Sequence, residues 1–88
     1  MDSVQKLYWV YVLRSDTRRC FYIGLSEDSD VRLVEHNAGL SKWTQGKGPW
    51  RKIWQRKFDS LSKARKFENL LKRQRGGSGF YQLTGISP

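Results

Sequence analysis

The stretch Leu7-Tyr8-Trp9-Val10-Tyr11-Val12-Leu13 decides the fold of this chain, together with Cys20-Phe21-Tyr22-Ile23-Gly24 beyond a short polar break. The first run is apolar and aromatic throughout and stops at Arg14. Such composition reads as a well-buried strand. Ser15-Asp16-Thr17 is turn material, and Cys20 to Ile23 resumes strand composition. The two runs therefore predict an antiparallel hairpin with a loop of several residues, its second strand ending at Gly24.

Working outward, Asp28-Ser29-Asp30 offers the short oxygen-bearing side chains that cap a helix, and Gly39 suits a left-handed C-terminal residue. A first helix is expected between them, with Val31, Leu33, Val34 and Ala38 toward the core. Arg32 and His36 are four apart and so project from one side of it. Residues 40–49 form a loop rich in Gly, Lys and Trp. Trp50 to Phe58 predicts a third strand, with Trp50, Lys52, Trp54, Arg56 and Phe58 on one face by a period-two count. Arg51, Ile53 and Gln55 then take the other face, and both faces mix polar with apolar residues, leaving the register open. Ser60 caps a second helix to about Arg73, with Ala64, Phe67, Leu70 and Leu71 as its apolar stripe. Glu68 borders that stripe, where a carboxylate is partly desolvated and calls for a cation. Gly76-Gly77-Ser78-Gly79 reads as a helix stop, with a phosphate cradle as the alternative. Phe80 to Leu83 adds a short packed segment. The expected architecture is α/β (α+β): a small, mainly antiparallel three-stranded sheet flanked by helices. Residues 1–88 form one domain in this reading, with a core over about 7–84 and no internal repeat.

A chain of 88 residues must fill its core with large side chains, and four Trp, four Tyr and four Phe meet that need. A single Cys and a single His exclude an internal disulfide and a tetrahedral Cys/His zinc site. No apolar run approaches the length of a membrane span, so a soluble, cytoplasmic protein is expected. The formal net charge is +9 and unevenly spread. Residues 1–39 hold five Lys/Arg and six Asp/Glu, whereas residues 40–88 hold twelve and two. That asymmetry points to nucleic acid, with a solvated lysine-rich surface as the plain alternative. No basic segment also carries a wide apolar face, which argues against a membrane surface.

Five side chains have the chemistry for phosphodiester cleavage: Tyr11, Tyr22, Arg32, His36 and Glu68. Phenols and an imidazole handle protons, a guanidinium offsets phosphate charge, and a carboxylate can hold a divalent metal. Each has a structural alternative. Strand tyrosines usually pack, a lone His is often structural, Arg32 can be a surface charge, and Glu68 can pair with Lys72 or Arg65 on its own helix.

In this order and spacing the residues resemble the GIY-YIG nuclease family. Tyr22-Ile23-Gly24 keeps the second motif, and Trp9-Val10-Tyr11 represents the first with its tyrosine retained. Arg32, within Val31-Arg32-Leu33-Val34-Glu35-His36-Asn37, falls where the family places its helix arginine. Glu68 matches the metal-binding glutamate. The likeness covers nearly the whole chain and is nearest to short stand-alone bacterial members. Trp9 and Val10 depart from the first motif at positions that shape a strand. Many members carry an asparagine downstream of the glutamate, but here none follows Asn69.

The resemblance implies one-step hydrolysis, with water attacking phosphorus in line and the 3′ oxygen leaving. It implies Mg²⁺ or Mn²⁺ at Glu68, Arg32 on the phosphate, and Tyr11 as general base. A phenol with an ordinary pKa near 10 would have to be lowered for that task. His36, starting near 6.5, is the alternative base or a holder of Tyr22. Arg14, Lys42, Lys47, Arg51, Lys72, Arg73 and Arg75 are the candidates for nucleic-acid contacts. The expected function is a DNA endonuclease with little sequence preference, possible in repair or recombination, with RNA a possible substrate and a protein partner able to supply targeting. The chief rival is a nucleic-acid-binding module with weak or no turnover. Trp43 and Trp50 allow stacking of single-stranded ligands.

Overall fold

The computed structural model describes residues 6–87. Strand β1 (Tyr8–Ser15) lies between β2 (Phe21–Ser26) and β3 (Trp50–Phe58), antiparallel to both. Helices α1 (Ser29–Asn37), α2 (Leu61–Arg73) and α3 (Ser78–Thr84) flank this sheet, giving the expected α+β architecture. The central place of β1 explains its unbroken apolarity, because both of its faces are covered. Val10 and Val12 pack with Ala64, Leu71 and Phe80 from α2 and α3. Tyr11 and Leu13 point the other way, toward Trp50 and Leu33. Val10, Tyr11, Val12 and Leu13 are each at most 1% exposed.

Strand β2 does not end at Gly24 but runs on to Ser26, and Gly24 sits mid-strand opposite Tyr11. A Cβ built on Gly24 would collide with Cζ and Oη of Tyr11. The glycine therefore makes room for a ring rather than ending the strand.

Strand β3 departs from a simple two-residue alternation. Val12 pairs with Trp54 and Leu13 with Lys52, leaving Ile53 as an extra residue at a bulge. Side chains opposite one another share a face, so Lys52 joins Leu13 and Trp50 joins Ser15. Beyond the bulge, Ile53, Trp54 and Phe58 all pack with the Val10–Val12 side. The expected single face of Trp50, Lys52, Trp54, Arg56 and Phe58 is thus split, because a bulge resets the pleat.

Helix α1 begins where expected: Asp28 accepts hydrogen bonds from the amides of Asp30 and Val31, both at 3.1 Å. Gly39 is left-handed at φ 78°. The inward face differs from the expectation, however. Val31 is 50% and Val34 69% exposed, and Ala38 is also exposed, whereas Ser29 and His36 are buried. Only Leu33 of the expected four packs inward. The helix turns a polar stripe to the sheet because those side chains find hydrogen-bond partners there. Ser29 Oγ donates to Gln55 Oε1 (2.7 Å) and accepts from Lys52 Nζ (3.0 Å).

In α2, Ser60 caps the first turn by accepting from the Lys63 amide. Ala64 and Leu71 are fully buried, Phe67 packs beside them, and Leu70 stays half-buried at the edge. The segment beyond the glycines is a helix that inserts Phe80 into the core. Ser78 and Gly79 belong to that helix, so only the first part of the run stops α2.

Candidate active site

The face of the sheet covered by α1 gathers four of the five side chains singled out in the sequence. Tyr11 and Tyr22 project from β1 and β2 with ring centroids 6.3 Å apart. Their strands place them there because Tyr22 pairs with Leu13, two residues on from Tyr11 and on the same face. His36 comes down from the last turn of α1, its ring centroid 4.5 Å from that of Tyr22. Its Nε2 lies 3.2 Å from the Tyr11 hydroxyl and its Nδ1 lies 2.9 Å from Thr44 Oγ1.

The direction of these bonds follows from the far end. Ser41 O can only accept, so the Thr44 hydroxyl gives it its one proton at 3.3 Å. Thr44 Oγ1 then accepts from His36 Nδ1–H, and the bare Nε2 accepts from the Tyr11 phenol. The network assigns a neutral imidazole with its proton on Nδ1. His36 and Thr44 are only 2% and 1% exposed. The scaffold behind them is tightly tied. Trp50 Nε1 donates to Thr44 O at 3.1 Å, and the Asn37 side chain bridges both backbone groups of Trp50 at 2.7 and 3.0 Å. Ser15 Oγ donates to Lys47 O at 2.5 Å, pinning the other end of the 38–49 loop.

Arg32, one turn before His36, is half-buried and forms an ion pair with Glu35 at 2.5 Å. Hydrogen bonding to the Tyr11 phenol is the foremost influence keeping the guanidinium charged. The Glu35 contact is the directed bond of Arg32, with Nη1 donating to Oε1. Burial pushes the Tyr11 phenol above its ordinary pKa, outweighing the pull of Arg32. Among the protein groups alone, burial thus leaves Tyr11 a protonated donor toward His36. Burial and the Arg32 charge both hold His36 below the usual imidazole pKa. The pair therefore rests neutral.

Glu68 shares no hydrogen bond with these four among the described residues. It is 5% exposed, with Oε2 3.1 Å from Lys72 Nζ and Oε1 3.4 Å from Arg65 Nη1. Both ion-pair partners weighed in the sequence are thus present together. Its charge still reaches Tyr11, as the weakest of the influences on that phenol. No group of three or more His, Cys, Asp or Glu among the described residues could hold a metal. A cation at Glu68 would have one protein carboxylate and take its other ligands from water and substrate. That donor set fits Mg²⁺, which keeps several waters, once Lys72 and Arg65 yield.

The basic candidates fall into four places. Arg14, Lys72 and Arg75 line one groove, together with Arg19. Arg73 lines an adjoining cleft that shares Lys72 and Arg75. In the 38–49 loop Lys42 is exposed, and Lys47 Nζ sits 3.9 Å from the centroid of the Trp43 ring. Arg51 pairs with Asp16 at 2.7 Å and is partly neutralised. Trp50 is 2% exposed, which removes it as a stacking platform; Trp43, at 50%, remains one. Sequence reading missed Thr44, Arg19 and the space-making role of Gly24. A lone Thr in an irregular loop carries no periodic signal that could have singled it out.

The chain that carries this sheet and cluster is a GIY-YIG domain over most of its length. Residues 7–80 match the GIY-YIG catalytic domain, and the chain belongs to that family. A UPF0213 protein of Vibrio parahaemolyticus is 33% identical over 72 residues, spanning 81% of this chain and 67% of its own length. One of Vibrio campbellii is 32% identical over 72 residues, spanning 81% and 68%. The solution structure of a UPF0213 protein from Bacillus halodurans superposes with a TM-score of 0.53 at 29% identity, covering 88% of this chain and 84% of that one. No helix among the described residues is long and apolar enough to cross a membrane.

Proposed function

We propose that the chain is a divalent-metal-dependent endonuclease hydrolysing DNA phosphodiester bonds with little sequence preference of its own. The observation that carries this reading is the directed Tyr11–His36–Thr44 hydrogen-bond chain beside the Arg32 guanidinium, in a chain of GIY-YIG ancestry and net charge +9. A neutral His accepting from a phenol is a proton relay poised for use. As water attacks phosphorus in line, its proton passes to the Tyr11 oxygen while the phenol proton moves to His36 Nε2. The departing 3′ oxygen takes a proton from solvent. Thr44 keeps the imidazole in the tautomer that can receive, and Arg32 offsets charge growing on the phosphate. Glu68 is the residue that would hold Mg²⁺ or Mn²⁺, which supplies neutralisation of the phosphate and leaving oxygens when bound.

Tyr11→Phe keeps the ring and removes the relay. Cleavage of labelled DNA in Mg²⁺ should fall by about 10²- to 10⁴-fold, the usual worth of a positioned acid–base group. Undiminished cutting by that variant would remove Tyr11 from the chemistry. A second reading has its own support: both Glu68 oxygens are already taken by Lys72 and Arg65. If these do not yield, the chain is a nucleic-acid-binding module, with salt-dependent affinity, no metal requirement and no turnover.

A further inference from the structure

The free edge of the sheet carries a groove that the chemistry above does not use. β2 is an outer strand, and a groove of about 930 Å³ runs beside it. That is near the upper end of the roughly 300–1,000 Å³ common for ligand sites. Four cations line it, Arg14, Arg19, Lys72 and Arg75, and no carboxylate does. Four aromatic rings with exposed or half-buried surface also line it: Phe21, Tyr22, Trp43 and Tyr81. We infer that this groove takes an unpaired, unstacked nucleotide of a single DNA strand; the inference rests on nucleic acid being the ligand of the proposed site, and not on hydrolysis.

The occupant follows from what the walls combine. A flat apolar ligand would leave four cations unmatched. A second copy of this chain would bring like charge against like charge, since each copy carries net +9. A nucleotide strand alternates flat rings with phosphates and satisfies both kinds of wall. Bases within a duplex already stack on one another and cannot lie against a side chain, so the strand must be open there. Trp43 is the ring best placed to receive a base. It is half exposed and tilts against Tyr22 at 5.7 Å between centroids. Tyr22 in turn contacts His36, so Trp43 lies one ring away from the Tyr11–His36 pair. A second basic cleft shares Lys72 and Arg75 and adds Lys66 and Arg73, extending the track for neighbouring phosphates.

The test is equilibrium binding by fluorescence anisotropy in EDTA, so that no cleavage is required. Three labelled probes of about 15 nucleotides suit the site sizes of small single-strand binders: a single strand, its duplex, and the same strand with abasic spacers at its centre. The unaltered protein should bind the normal strand roughly 5- to 100-fold more tightly than the abasic strand, as one or two stacked bases give. Trp43→Ala should erase that difference while weakening duplex binding little, and Trp43→Phe should restore most of it. Arg75→Ala should weaken normal and abasic strands alike, because both keep their phosphates. Equal binding of normal and abasic strands by the unaltered protein would overturn the inference. So would an equal loss on duplex and single strand in Trp43→Ala. Metal-dependent cutting without base discrimination removes this inference and leaves the nuclease reading standing. Base discrimination without cutting in Mg²⁺ does the reverse.

Discussion

At Gly24 a methyl group would occupy space that the Tyr11 ring fills, and the ring has few places to go because it is 1% exposed. Gly24→Ala should therefore pull the phenol off His36 as well as overpack the sheet. The expected outcome is a loss of about 1–3 kcal/mol in urea unfolding, with cleavage falling further than that of a surface control. His36 is the chain's only histidine, which makes its titration readable. Its folded pKa is lowered, so as pH falls the unfolded chain takes up this proton first. Stability is full above about pH 6.5 and falls as pH drops from there toward the folded pKa, by at most about 1.4 kcal/mol per pH unit. Urea unfolding at a series of pH values should show this slope in wild type and lose it in His36→Gln. The rate should follow the same group in the folded state, holding level through neutrality and falling only as pH approaches the lowered folded pKa, where Nε2 is protonated. A rate that keeps climbing through alkaline pH would make the free Tyr11 phenolate the base instead. Tyr11, Tyr22, Arg32 and His36 were legible in sequence because motif and helical spacing both mark them. Thr44, which fixes the tautomer, was not, because its placement depends on how the 38–49 loop folds back over α1.

Three elements show where pattern reading succeeds and where it fails. β1 is apolar on both faces, so composition alone marked it as a buried strand; its central place comes from the pairing with β2 and β3. α1 carries Val31 and Val34 at apolar spacing, yet it buries Ser29 and His36. Hydrophobic periodicity assumes that apolar groups gain most from burial; here buried polar groups are satisfied by Tyr11, Thr44, Gln55 and Lys52, and the valines stay outside. The face of β3 was hidden for a different reason. An extra residue at Ile53 resets the alternation, and a bulge leaves no mark in a period-two count. Val34→Lys tests the orientation of α1 directly. A side chain 69% exposed should tolerate the charge within about 0.5 kcal/mol of wild type in urea unfolding. A core valine would lose several times that.

Across the whole molecule, the Tyr11–His36 pair lies on the α1 face of the sheet, and the buried Glu68 stands on α2, which packs on the Val10–Val12 face. The charge asymmetry of the sequence becomes a basic groove and cleft around the C-terminal end of α2, with Lys72 bordering both and paired to Glu68. Phosphate binding near Lys72 would draw that ammonium away and free Oε2 of Glu68, leaving Arg65 on Oε1. The central claim is therefore tested by one assay: cutting of labelled DNA in Mg²⁺, Mn²⁺ or EDTA by wild type and by Glu68→Gln, with binding of the same DNA measured alongside. The expected result is cutting by wild type that EDTA abolishes, and a Glu68→Gln protein that binds DNA with near-wild-type affinity but cuts at least about 100-fold more slowly. Equal cutting by Glu68→Gln, or binding without cutting in every metal, would contradict a metal-dependent nuclease built on this residue.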